Sequence, residues 1–123
     1  MLINLSNHPS VNWLPEQIAA AKTQFGTVED MPFPGIPPEA DTERVIKLAH
    51  FYCEKITQQY HNQTITVHLM GEMTFVVALV RLLQKAEIRV ICSTTRRLVL
   101  TEMEGVKTAK FQFIQFRDYP NTL

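Results

Sequence analysis

Apolar and polar positions change period several times along the chain, and each change predicts an element. The opening run "LINL", residues 2–5, is short and apolar, and the turn formers "SNHPS", residues 6–10, follow it. That pattern predicts a buried first strand ending in a loop. Pro15 suits the first turn of a helix, where a missing amide costs nothing, and "PEQIAAAKTQF" continues with good helix formers as far as Gly26. "TVEDMPF", residues 27–33, predicts a second, shorter strand. Residues 32–38, "PFPGIPP", hold four of the seven prolines, so they form neither a helix nor a central strand but an extended surface connection.

Asp41 is placed to cap the next helix. Within "TERVIKLAHFYCEKITQQY", Val45, Leu48, Ala49, Tyr52, Cys53 and Ile56 recur at spacings of three and four, one face of an amphipathic helix. "TITVHLM", residues 64–70, is a third strand rich in β-branched residues. "TFVVALVRLLQKA", residues 74–86, is apolar around most of its circumference, as a helix covered by a sheet and a second neighbour would be. "IRVICS", residues 88–93, is strand four. "LVLTEMEGVKTAKFQFIQF", residues 98–116, alternates on both sides of Glu104-Gly105 as a β-hairpin does, with Phe111, Phe113 and Phe116 supplying apolar weight.

The alternation predicts an α/β fold. One three-layer Rossmann-like domain covers residues 1–123, with a mostly parallel sheet of order 2-1-3-4 and a C-terminal antiparallel β-hairpin beyond strand four. Composition agrees: 46% of the 123 residues are hydrophobic and 20% charged, as in a globular protein. A formal net charge of zero argues against a surface that coats long nucleic acid, but not against a small nucleotide held by a few groups. No apolar run approaches the ~18 residues of a membrane span. Met1–Asn4 does not open a secretory leader, and Cys53 and Cys92 sit where buried thiols are common, so a reduced cytoplasmic setting is expected.

Ligands of open parallel sheets bind beyond the carboxyl ends of the strands. Three polar turns are expected there: Ser6, Asn7, His8, Pro9 and Ser10 after strand one, Gly71 to Thr74 after strand three, and Ser93 to Arg97 after strand four. In "GEMT", Gly71 allows close backbone approach to a ligand, and the unpaired amides that open the next helix attract a phosphate. Thr74 donates a hydroxyl or caps the helix. Glu72 either complements the helix start itself, competing with an anion, or accepts from a ribose or base. In "STTRR", the hydroxyls of Ser93, Thr94 and Thr95 and the guanidiniums of Arg96 and Arg97 suit phosphate oxygens; the alternative is a solvated start to the hairpin with an arginine paired to Glu102 or Glu104. Asn7 and His8 suit base or ribose contacts, and His8 also suits proton transfer. Trp13 packs over the first turn or stacks on a base. His50, His61 and His68 are poorer candidates: the first two belong to the second helix and its end, His68 to a strand, and none has zinc-ligand spacing. The absence of a Gly-x-Ser-x-Gly elbow and the position of Cys92 inside a strand argue against a hydrolase nucleophile.

"INLSNHPSVNWLPEQIAAA" resembles the openings of small CRISPR-associated proteins of Rossmann-like fold, and "HLMGEMTFVVALVRLLQKAEIRVICSTTRR" is similar to the strand-turn-helix-strand half of that fold. The family includes CARF-like sensors and ring nucleases for cyclic oligoadenylate. The resemblance implies a homodimer that binds the ring across its two-fold axis and cleaves it without metal or cofactor, a ribose 2′-hydroxyl attacking the neighbouring phosphate. It also implies that Ser6, Asn7, His8 and Ser10 line the ring. Gly71, Glu72, Met73 and Thr74 would contact phosphates and Ser93 to Arg97 would position or stabilise the ring, with Arg96 and Arg97 meeting the developing charge and His8 or Glu72 assisting proton transfer. Two other readings fit the same residues: a non-catalytic sensor or interaction module, and a binder of an ordinary mononucleotide or phosphorylated metabolite.

Overall fold

β1 (Leu2–Ser6) is buried along its whole length and stands second in a five-stranded sheet of order β2-β1-β3-β4-β5. The other strands are β2 (Val28–Asp30), β3 (Thr66–Met70), β4 (Arg89–Met103) and β5 (Val106–Asp118). This computed structural model describes residues 1–103 and 105–123, and among these the side chains outside 100–103 and 106–108. β1, β2, β3 and the start of β4 run parallel, and β5 returns antiparallel to β4. The expected order and terminal hairpin are therefore present.

Helix α1 (Pro15–Phe25) covers one face of the sheet, where Trp13 and Ala21 pack with Leu2 of β1 and Ile91 of β4. Helices α2 (Thr42–Gln59) and α3 (Met73–Lys85) cover the other, closing a larger core over Ile3, Leu5, Val67, Leu69 and Val90. The alternation of these side chains is the two-residue period of a strand read on both faces. The helix boundaries follow local chemistry. Asp41 accepts from the Arg44 amide at 2.9 Å, and Gly26, at φ 85°, ends α1 with its amide on the Lys22 carbonyl at 3.0 Å. Among the described residues no helix is long and apolar enough to cross a membrane.

Two expectations change. β2 stops at Asp30, so Met31 to Phe33 lie outside it; Pro32 has no amide to continue a ladder. Ser93 to Arg97 form no loop, because β4 runs unbroken through them, paired with Phe116 to Phe111 of β5. The threonines there are good strand formers, and β5 satisfies their backbone. β3 accompanies β4 only as far as the pair His68–Ile91. Beyond it the 15-residue β4 and 13-residue β5 overhang the carboxyl edge as a two-stranded arm. A strand of that length spans roughly 50 Å, against roughly 17 Å for β1. The β4–β5 register shifts by one residue between Thr94 and Thr95, and the root of the arm is clamped by Arg89, whose Nε and Nη2 donate to the two oxygens of Asp118 at 2.7 and 2.9 Å. The expected turn residue Glu104, and any pairing of an arginine with Glu102 or Glu104, lie outside the described residues and side chains.

Phe75 joins α3 to the rest of the core. It is fully buried, edge-on to Tyr52 of α2 and to Phe33 of the proline-rich connection, with centroids 5.6 and 5.4 Å away. Phe75→Ala should lower unfolding free energy by about 3–5 kcal/mol, read as an earlier urea midpoint; a loss below 1 kcal/mol would show that these contacts do not hold the connection to the core.

Candidate functional site

Asn4 and His68 are neighbours across the parallel β1–β3 ladder, both pointing to the α1 side and both nearly closed to solvent, at 1% and 2% exposure. The Asn4 amide Nδ2 donates to the His8 carbonyl at 2.9 Å and to Asp30 Oδ1 at 2.8 Å. Both of these are acceptors only, which settles the orientation of the amide. Asn4 Oδ1 therefore accepts, from the Ser6 hydroxyl at 2.7 Å and from His68 Nδ1–H at 2.9 Å. With Nδ1 protonated, neutral His68 accepts at Nε2 from the Ser93 hydroxyl, 2.6 Å away, and Ser93 Oγ in turn accepts from Gln17 Nε2 at 3.0 Å. One continuous chain of hydrogen bonds thus links β1, β2, β3, β4 and α1.

Ser93, His68 and Asn4 have the order of a nucleophile, a base and its orienting group. The imidazole, however, lies beneath Trp13 and Phe116, with ring centroids 5.0 and 5.8 Å away. Burial, with a smaller contribution from His8, pushes the His68 pKa down to about 4. A closed, weakly basic imidazole does not meet substrate; its work is to hold strands and loop in register.

What the network presents to solvent is the loop after β1. Asn7, His8 and Pro9 are exposed. The His8 carbonyl is tied down by Asn4 and by the Trp13 indole N–H at 3.0 Å, with the Ser6 hydroxyl also within reach at 3.1 Å. Ser10 fastens the far end, its amide donating to Asp30 Oδ1 at 3.0 Å and its hydroxyl to Oδ2 at 2.6 Å. Burial acts to raise the Asp30 pKa, but donors from Ser10 and Asn4 outweigh it and hold the carboxyl below the usual range. Between this loop and the connection after β2 lies a cleft of about 560 Å3, walled by Pro9, Pro32 and Phe33 and floored by Asn4, Ser6 and Asp30.

The three predicted turns meet only in part. Ser6 is buried and its hydroxyl faces inward, whereas Asn7 and His8 stay free at the surface, and the Asn7 amide reaches the Met70 carbonyl at 3.3 Å. The start of α3 is occupied by its own residue: Glu72 accepts from the amides of Thr74 and Phe75 at 3.0 and 2.9 Å, and Thr74 Oγ1 also donates to it. The Thr74 hydroxyl and then these amides hold the Glu72 carboxyl below its usual range. Gly71 is bare because a Cβ there would meet the Phe33 ring at 2.3 Å. Met73 is exposed. Of the last group, Ser93 belongs to the buried chain, Thr94 Oγ1 donates to the Gln115 carbonyl at 3.2 Å, and Thr95, Arg96 and Arg97 are exposed on the arm. Arg96 and Arg97 are successive strand residues, so they project to opposite faces. Trp13 is core, at 8% exposure.

Sequence reasoning missed Asn4, Gln17 and Asp30, and set His68 aside as a poorer candidate because it lies in a strand. The available signal was a polar residue inside each of two apolar strands, "LINLS" and "TVHLM". Because unfolded His68 binds a proton near pH 6.5 and folded His68 only near 4, stability is complete above pH 6.5 and falls as pH drops towards 4. Between pH 7 and 5 the loss should be about 2 kcal/mol in urea unfolding, and His68→Gln should flatten that slope. An equal slope in the variant would remove His68 from the account.

Residues 1–117 match the family model described as "Uncharacterized protein MJ1673 family". No curated protein and no solved structure matches the chain. With 117 of its 123 residues aligned, the chain belongs to the MJ1673 family.

Proposed function

We propose that the protein is a homodimer that binds a cyclic oligoadenylate at the carboxyl edge of its sheet and cleaves it without metal, as a cytoplasmic ring nuclease of CRISPR-linked antiviral defence. The observation that carries this reading is the exposed Asn7–His8–Pro9 loop, held rigid from beneath and bordering a cleft of about 560 Å3 where the parallel strands end. Rigid loops on a buried scaffold are what positioning catalysis needs. In the reaction the ribose 2′-oxygen bonds to the adjacent phosphorus, the bond to the 5′-oxygen breaks, and the products are a 2′,3′-cyclic phosphate and a 5′-hydroxyl. The proton leaving the 2′-oxygen and the proton gained by the 5′-oxygen pass through His8 or water.

The occupied start of α3 moves the phosphate contacts elsewhere. Asp30 and Glu72 make the strand ends acidic, while Arg96 and Arg97 stand exposed on the overhanging arm. In this reading the arms of two chains bring guanidiniums to the ring phosphates and neutralise the developing charge. Exposed Val99, Phe111 and Ile114 give the arm an apolar surface for the second chain.

That same apolar arm favours a second reading, a non-catalytic interaction module. Incubating the protein with cyclic tri-, tetra- and hexa-adenylate in EDTA and separating the products separates the two. The ring-nuclease reading expects linear fragments with cyclic phosphate ends from one ring size. Intact rings with no thermal stabilisation of the protein would leave the interaction module. Because the two arginines project oppositely, Arg96→Ala and Arg97→Ala should differ, one slowing cleavage by about 100-fold and the other by less than tenfold; equal and full activity in both would remove the arm from the site.

A further inference from the structure

We infer that the cleft between the β1 loop and the proline-rich connection is a nucleoside subsite in which Asp30 accepts a hydrogen bond from a ribose 2′-hydroxyl and Phe33 with Pro9 and Pro32 forms the wall for the base. The inference rests on the adenylate reading above and deepens it, giving Asp30 and Phe33 direct contacts with the ligand.

Asp30 ends β2 next to the strand that begins the fold, the position from which an acid in a doubly wound sheet reaches a ribose hydroxyl. Its capacity can be counted. Oδ1 accepts from Asn4 Nδ2 at 2.8 Å and from the Ser10 amide at 3.0 Å, which uses both of its lone-pair directions. Oδ2 accepts from the Ser10 hydroxyl at 2.6 Å and keeps one direction. A 3′–5′-linked ring has one free hydroxyl per nucleotide, at the 2′ position, so donor and acceptor match in number. The donors already on the carboxylate balance part of its charge and fix its orientation, so a neutral hydroxyl suffices to complete it.

The rest of the lining selects the same part of the ligand. Asp30 is the charged residue lining the cleft, and its sign repels phosphate. Phe33 is braced from behind, edge-on to Phe75 and over the bare backbone of Gly71. A braced aromatic ring offers a stacking surface at little entropic cost. Asn7, which also lines the cleft, carries both a donor and an acceptor for a base edge. The phosphates of the same nucleotide would then point out of the cleft.

Titration calorimetry with cyclic tri-, tetra- and hexa-adenylate, their all-2′-deoxy counterparts, adenosine and 2′-deoxyadenosine tests this on the intact protein. The subsite predicts that the ribose ring binds at least about tenfold more tightly than the deoxy ring. Asp30→Asn keeps an oxygen for the Asn4 side chain and the Ser10 backbone amide but removes the charge and presents an N–H, to which a 2′-hydroxyl is only an acceptor, so the ribose-over-deoxy preference should shrink to about threefold or less. Phe33→Leu should weaken both rings by about tenfold or more. Equal affinity of wild type for the two rings would overturn the subsite while leaving the ring reading in place, and needs no variant. Adenosine binding with an Asp30-dependent 2′-hydroxyl preference, but no ring binding, would support the subsite and remove the ring. No binding of any adenylate would overturn both.

Discussion

The side-chain amide of Asn4 joins the parts of the molecule on which everything at the carboxyl edge depends. Its two hydrogens go to the His8 carbonyl and to Asp30, and its oxygen takes Ser6 and His68, so all four bonding directions are used inside the protein. A buried amide left with one of these unmade would lose about 1–3 kcal/mol, which makes the arrangement specific as well as stable. Through Asp30 the amide fixes the end of β2 and Ser10; through His8 it fixes the exposed loop; through His68 and Ser93 it reaches the root of the arm. The apolar side chains around it, Trp13, Leu2 and Ile91, exclude the water that would compete for these bonds.

This constraint sorts the edge of the sheet into two chemical halves. On the strand ends, Asp30 and Glu72 are both held as carboxylates by local donors, and the second of them fills the helix start that would otherwise draw an anion. On the arm, Arg96 and Arg97 are exposed. A ligand with a neutral, hydroxyl-bearing part and an anionic part meets a suitable surface for each, but in different places and, for the arginines, on different faces. In the proposed dimer it is a second chain that supplies the contacts one chain lacks, and the overhang of β4 and β5 that carries them.

Much of the fold was legible because it rests on local patterns. The three-and-four spacing of α2, Asp41 at its cap, Pro15 and Gly26 around α1, and the alternation of elements all act over a few residues, and the strand order follows from connection rules. The site was less legible because it rests on register. Asn4 and His68 are 64 residues apart and look like ordinary interruptions of apolar strands until the β1–β3 pairing sets them side by side. Asp30 looked like the middle of a longer strand until Pro32 ended it. "STTRR" has the polarity of a loop, yet its backbone is satisfied by β5, a partner that polarity does not reveal. Glu72 posed a choice between cap and ligand contact, and the nearby amides decide for the cap.

The most direct test of the central claim is the protonation of the His68 ring, followed by 15N NMR of imidazole-labelled protein between pH 7.5 and 4.5. The account predicts a single neutral tautomer with its proton on Nδ1, a bare Nε2 shifted by the Ser93 hydroxyl, and no titration until the pH nears 4. A ring that carries its proton on Nε2 would contradict it, because Nδ1 could not then donate to the oxygen through which Asn4 joins His68 to Ser6, His8 and Asp30, and a ring that titrates near 6.5 would contradict its burial beneath Trp13 and Phe116.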